Sequence, residues 1–258
     1  MNYVAQKRHT YVNTMQSLTT LRALTTQLAV WAFTDFEQAR AALRDLAEVV
    51  TPETGFEVRL AYYRYGAFLH NQWQHYDLAL EHALQAIDIL EELSDTPALI
   101  ETWADMAAIH LNLRDWTAAQ ECLDTAREYV EDETADTLRA HIACREGFLH
   151  LHLANHRQAL DALMTAEKDL LGLDDRSPLK DFYIQTLVCN GLGDLYEKLG
   201  EKDQSLHAYR RVLPIVEQHG LRPRVAWHYL NAGRAELALD NTVQARIFFE
   251  NAVQYAAA

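Results

Sequence analysis

Six small residues recur along this chain at a nearly fixed interval. Ala39, Ala79, Ala119, Ala159, Ser205 and Ala245 stand 40, 40, 40, 46 and 40 residues apart. A period of this size marks stacked supersecondary units rather than one closed globule. Each unit of such an array buries its apolar face only against its neighbours, and the stack presents long surfaces suited to binding.

The small residues sit in a matching frame. Four residues later come Leu43, Ala83, Leu123, Leu163, Tyr209 and Phe249, and three after those Leu46, Ala86, Ala126, Ala166, Val212 and Ala252. Steps of four and three place all three on one helical face. About twelve residues upstream lies a second small position, Gly66, Ala107, Gly147, Gly193 or Gly233, followed three residues on by Leu69, His110, His150, Tyr196 or Glu236. Polar breaks separate the two frames: Arg114-Asp115, Ala154-Asn155, Leu199-Gly200-Glu201 and Asp240-Asn241. Each unit reads as helix, tight turn, helix. The second unit carries one extra residue in its turn, and the first lacks the glycine, with Gln27 near that place.

NGLGDLYEKLGEKDQSLHAYRRVL (Asn190 to Leu213) resembles a tetratricopeptide repeat, with Gly193, Tyr196, Gly200, Tyr209 and Val212 where that family carries small and aromatic residues. TWADMAAIHLNLRDWTAAQECLDTA (Thr102 to Ala126), FTDFEQARAAL (Phe33 to Leu43) and NAGRAELALDNTVQARIFFENAV (Asn231 to Val253) fit as well, so the resemblance spans about residues 12–255. The common repeat is near 34 residues, and these are longer. The long variant is similar to repeats fused to bacterial regulators: peptide-sensing transcription factors, large activators, and sensors ahead of kinases or diguanylate cyclases. The resemblance implies an all-α, right-handed α-solenoid superhelix of about six helix pairs in a single domain, 1–258, with units near 12–50, 52–94, 97–134, 136–172, 178–219 and 223–255.

Joints between units carry helix-start signals. Thr51-Pro52-Glu53, Thr96-Pro97 and Ser177-Pro178 each set a hydroxyl before a proline, a pairing that suits a cap followed by the first turn. Gly220 and Pro223 mark another joint, and the surplus of the 46-residue interval lies in LLGLDDRSPLKD (Leu170 to Asp181). Pro214, inside VLPIVEQ, is expected to kink the helix or end it at Leu213.

Composition narrows the function classes. No run of about 18 apolar residues is present, so no membrane span is expected, and the N-terminus lacks the apolar core of a signal peptide. The stretch before Leu18 is polar and reads as a loose helix or arm. Cys122, Cys144 and Cys189 are odd in number and far apart, which fits a reducing cytoplasm better than a disulfide framework. A net charge of −14 argues against nucleic-acid binding. Residues 81–136 hold 15 acidic and 2 basic side chains, whereas residues 198–235 hold 7 basic and 3 acidic. Solvated faces of opposite sign, or complementarity with a charged partner, both account for this.

No catalytic constellation stands out. Asn190-Gly191-Leu192-Gly193 lacks a third glycine, since Tyr196 holds that place, and no strand precedes it. His152 and His156 have the i, i+4 spacing of a zinc pair without a glutamate between them. His110 and His150 share one repeat slot, as packed histidines would. Cys122 falls beside the small positions and reads as structural. No enzyme activity, metal or cofactor is expected.

In a tetratricopeptide-like stack the first helix of each pair lines the concave surface. The resemblance therefore implies a peptide groove built from Tyr63, Arg64, Asn71, Asp105, Asn112, Arg145, Phe148, His152, Asn190, Asp194, Lys198, Trp227, Asn231 and Arg234. Asparagine can pair with a peptide backbone at both N–H and C=O, and arginine can fork onto a carboxylate. Asn231 stands where peptide-carboxylate clamps of that family carry asparagine, with Arg234 three residues on; Arg64, Asp105, Arg145 and Gly191 fill the same slot elsewhere. The expected function is a noncatalytic protein- or peptide-binding module, the sensor or regulatory part of a bacterial signalling protein. The alternative is a passive assembly scaffold or homodimer. Ile247, Phe248, Phe249 and Val253 give the last helix apolar residues on more than one face, so pairing through the C-terminal end, or cover from a following domain, is expected.

Overall fold

The computed structural model describes residues 19–256. Among them every regular element is helical: α1 (19–34), α2 (Phe36–Ala47), α3 (Phe56–Gln72), α4 (Tyr76–Leu93), α5 (Thr96–Leu113), α6 (Trp116–Glu128), α7 (Asp136–His152), α8 (His156–Asp169), α9 (Leu179–Leu199), α10 (Lys202–His219), α11 (Val225–Ala238) and α12 (Thr242–Ala256), with a single 3-10 turn at Arg222–Arg224. These are the six helix pairs expected from the repeat. The polar N-terminal arm lies outside the described residues. The helices group into two compact units, one closing at Glu92 and the other opening at Leu93.

One backbone turn joins five of the six pairs. Gln74, Arg114, Ala154, Gly200 and Asp240 all adopt left-handed backbone, with φ of 63, 61, 57, 77 and 63°. Each stands five residues before its recurring small residue. The amide after each reaches back to the carbonyl five residues earlier: His75 to His70 (2.8 Å), Asp115 to His110 (3.0 Å), Asn155 to His150 (2.9 Å), Glu201 to Tyr196 (2.9 Å) and Asn241 to Glu236 (3.0 Å). This is a Schellman termination, which satisfies carbonyls that a helix end leaves unpaired. The next helix then begins at once. Asp115 caps α6 by accepting from the Ala118 amide at 3.0 Å, and Asp35 caps α2 by accepting from Glu37 and Gln38.

The turn corrects the alignment of the second pair. Because Gln74 matches Arg114 and Ala154, the residue matching Ala107 and Gly147 is Ala67, not Gly66. The second turn therefore carries no extra residue. His70, rather than Leu69, shares the slot of His110 and His150, and all three rings are half-buried.

Packing follows the repeat frame. Ala39, Ala79, Ala119, Ala159, Ser205 and Ala245 are all buried. Small residues on the first helix admit the larger residue sixteen positions on. A Cβ on Gly147 would lie 2.6 Å from Leu163 Cγ, and one on Gly193 2.5 Å from the Tyr209 ring. In the second unit α5 packs on α6 and α7, α7 on α8 and α9, α9 on α10, and α11 on α10 and α12. The first helices α5, α7 and α9 thus form one layer and the second helices back it. Arg127 pairs with Glu146, Arg211 with Glu167 and Arg210 with Glu236, fastening second helices to neighbours of opposite charge.

Several expected boundaries move. Thr51-Pro52 does not start a helix: Thr54 Oγ1 accepts from the Thr51 amide (2.9 Å) and α3 begins at Phe56, after a Gly55 that supplies no side-chain cap. Thr134 closes the same turn before α7 by accepting from the Glu131 amide (2.8 Å), and Ser177 does so before α9 from Asp174 (3.0 Å). The α5 cap is Asp95, one residue before Thr96. Pro97 does stand in the first turn of α5, as its signal implied, and at the other two joints a hydroxyl closes a turn ahead of the helix instead of capping it. Pro214 does not end its helix, which runs through to His219. The long joint falls where expected, between Asp169 and Leu179, although Lys180 and Asp181 belong to the first turn of α9.

Candidate functional site

The first helices of the second unit concentrate its buried polar side chains. Asp105 projects from α5, and Arg145 projects from α7 forty residues later, nine-tenths buried. The Arg145 guanidinium lies 3.6 Å from one carboxylate oxygen of Asp105. Lys180 at the start of α9 donates to the other oxygen at 2.7 Å and to Glu101 at 3.1 Å. One turn from Arg145 the buried His141 donates through Nε2 to Asp181 at 3.1 Å. Burial opposes ionisation of Asp105, but Lys180 and Arg145 outweigh it and hold the carboxyl below its usual range. The result is an ionic network spanning α5, α7 and α9, with Arg145 Nε left without an acceptor.

A second polar group joins α9 to α11. Asn190, fully buried, donates from Nδ2 to the Thr186 carbonyl (2.7 Å) and lies 3.1 Å from Nδ1 of His228. Burial, reinforced by Arg224, pulls His228 down to about 3, so the ring is neutral and Nδ1 can accept the amide proton. Asn190 Oδ1 and Asn231 Nδ2 are buried without partners among the described residues. A third group surrounds Asp194, which accepts from Tyr209 Oη; burial, then the nearby Glu197, keep its carboxyl above the usual range against that hydrogen bond. Glu197 in turn pairs with Arg234 at 3.1 Å.

The expected groove residues therefore separate. Asp105 and Arg145 meet directly, and Asn190, Asp194, Asn231 and Arg234 belong to the adjoining groups on α9 and α11. Phe148 packs toward Gly191, where an added Cβ would meet its ring at 3.4 Å. Trp227 is about one-third exposed, beneath the Arg224 guanidinium at 5.2 Å. Asn112 and Lys198 lie exposed near helix C-termini, and His152 stacks on Trp116 (4.8 Å) instead of facing the layer. His152 and His156 share no helical face, because α7 ends at His152 and the turn intervenes. In the first unit Tyr63 packs on His82 of α4 (5.4 Å) and Asn71 is buried. The corrected alignment puts Tyr65, not Arg64, in the slot of Asp105 and Arg145. Glu101, His141, Lys180, Asp181, Thr186 and His228 join these polar groups without having been expected there. Glu101 and His141 share a slot forty residues apart, a signal the period carried.

The three cysteines are core residues. Burial pushes Cys122 up to about 12 and Cys144 and Cys189 up to about 11, and all three are buried and free. Among the described residues no group of three or more His, Cys, Asp or Glu could hold a metal ion, and no helix is long and apolar enough to cross a membrane. On α12, Val243 and Val253 are exposed and Ile247 is partly so, but Phe248 is buried and packs toward Tyr229, and Phe249 closes on Gly233. Two of the four apolar residues expected to form an open end are thus covered by α11.

No known family model matches the sequence, and no curated protein does. Solved structures do. A Rap protein complexed with competence and sporulation factor superposes at a TM-score of 0.68 with 15% identity, over 84% of this chain and 58% of that one. NprR in complex with its cognate peptide NprX gives 0.66 with 13% identity, over 99% and 75%. A signal transduction ATPase with numerous domains and a tetratricopeptide repeat sensor, from Pyrococcus horikoshii, gives 0.53 with 15% identity, over 85% and 40%. The chain spans 58% of the length of the Rap protein. The likeness is one of fold: this is a tetratricopeptide-like helical array.

Proposed function

We propose that this chain is a noncatalytic binding module that takes an extended peptide or partner segment along the inner layer α5, α7, α9 and α11, as the sensor or regulatory part of a signalling protein. One observation carries the reading. Arg145 Nε, Asn190 Oδ1 and Asn231 Nδ2, on three successive first helices, are buried and lack partners among the described residues. Leaving such groups unmet costs about 1–3 kcal/mol each, and an extended backbone, carrying a donor and an acceptor at every residue, offsets that cost once the helices part enough to expose them. The two solved folds with peptide or factor bound support the same reading by analogy.

The test is selection from a displayed library of random 12-residue peptides on the wild-type chain and on an Arg145→Ala/Asn231→Ala variant, with thermal melts to establish that both fold. A consensus selected by wild type and lost in the variant supports the proposal. Equal selection by both, or none by either, contradicts it. A second reading, self-association, draws on the exposed Val243, Val253 and Tyr255 of α12; sedimentation of Val243→Asp/Val253→Asp against wild type tests it.

A further inference from the structure

Lys180 holds a place that a ligand could hold. It sits in the first turn of α9, after the nine-residue joint 170–178, and its ammonium lies between Asp105 (2.7 Å) and Glu101 (3.1 Å) on α5. Both α5 and α9 pack against α7, so this one side chain ties the two flanking helices of the layer together. Its four-carbon stem is flexible, and its compact charge is readily rehydrated on leaving. Arg145 is different: it is more deeply buried and lies 3.6 Å from Asp105, with Nε unpartnered. Were Lys180 to withdraw, Asp105 would keep Arg145 at 3.6 Å from one of its two oxygens and would lose the partner of the other.

Along α5, α6 and the joint that follows, the charge has the matching sign. Residues 93–136 carry eleven acidic and two basic side chains. Such an excess draws cationic partners toward the layer and repels anionic ones.

From these observations, and resting on the peptide-binding reading above, we propose that the occupant of the inner layer is a basic segment whose lysine or arginine side chain displaces Lys180 from Glu101 and Asp105. Lys180 then acts as an internal stand-in that must be expelled before the segment binds. Its displacement also releases α5 from α9, coupling occupancy to the spacing of the layer. An occupant that must first expel a competing group binds more weakly than it would to the emptied site, by the fraction of molecules in which that site is open.

The same 12-residue library, selected on wild type, Lys180→Met and Glu101→Gln, tests this, with melting curves to verify folding and affinities of the selected peptides by titration calorimetry. The wild-type consensus is expected to hold lysine or arginine at one fixed position. Lys180→Met is expected to bind those peptides about tenfold more tightly. Glu101→Gln is expected to lose the basic position and keep the rest of the consensus. A consensus without a fixed basic residue, or one whose affinity for Lys180→Met is equal or weaker, overturns this inference while leaving the peptide-binding reading standing. No consensus on any of the three overturns both.

Discussion

Tyr209 stands sixteen residues after Gly193 and presses against it so closely that a methyl group on the glycine would lie 2.5 Å from the ring. The same relation recurs between Gly147 and Leu163. It recurs between Gly233 and Phe249, and it explains why these upstream positions are glycine; Gly66, one residue off the register, approaches His82 in the same way. Gly193→Ala is expected to lower stability by about 1–3 kcal/mol, since a ring packed on both sides must shift. Gly172→Ala, where an added Cβ meets nothing within 4 Å, should stay within about 0.5 kcal/mol. Urea unfolding of the two variants measures the difference; equal losses would mean that the glycine contact does not set the packing.

The repeated turn gives a prediction of opposite sign. Ala154 holds φ at 57° where only glycine is free of steric cost. Ala154→Gly should stabilise by about 0.5–1 kcal/mol, and Gly200→Ala, at φ 77°, should cost a similar amount. Thermal unfolding that moves both variants the same way would contradict the turn.

His228 makes stability depend on pH. Its folded value, near 3, lies far below its ordinary one. Below about pH 6.5 the unfolded chain binds a proton that the folded chain refuses, so the folded state loses ground as pH falls from there toward 3. Full stability is present above that window. The loss from this group should approach about 1 kcal/mol per pH unit, and His228→Gln should remove it. Denaturant midpoints between pH 7.5 and 5 for both proteins provide the check; identical slopes would show that His228 does not titrate as buried.

Cysteine reactivity reports on the core. With Cys122 pushed up to about 12 and all three thiols buried, a thiol-specific disulfide reagent at pH 8 should react no faster than the chain opens. Reaction should become rapid and threefold in stoichiometry in denaturant. A thiol that reacts at once in the native protein would place it at the surface.

The number and order of helix pairs were legible because the period is written in residues that the fold buries completely, from Ala39 to Ala245. The register of the second pair was not. Gly66 and Ala67 are both small, and only the left-handed turn at Gln74 decides between them. That turn is invisible to residue type, since Gln74, Arg114, Ala154 and Asp240 replace the glycine that would have marked it. One contact of the proposed site was legible. Asp105 and Arg145 share a repeat slot and meet in space. Lys180 was hidden because its stretch read as loop, and because a contact between helices 75 residues apart leaves no local pattern. His152, expected in the groove, stacks on Trp116 at the end of α7, a contact that no spacing announces.

Hydrogen exchange of the chain with and without a library-selected peptide tests the central claim most directly. Slowed exchange is expected only in α5, α7, α9 and α11, in the segments around Glu101–Asp105, His141–Arg145, Thr186–Asp194 and Trp227–Arg234. Protection on α6, α8, α10 or α12, with the first helices unchanged, would contradict it.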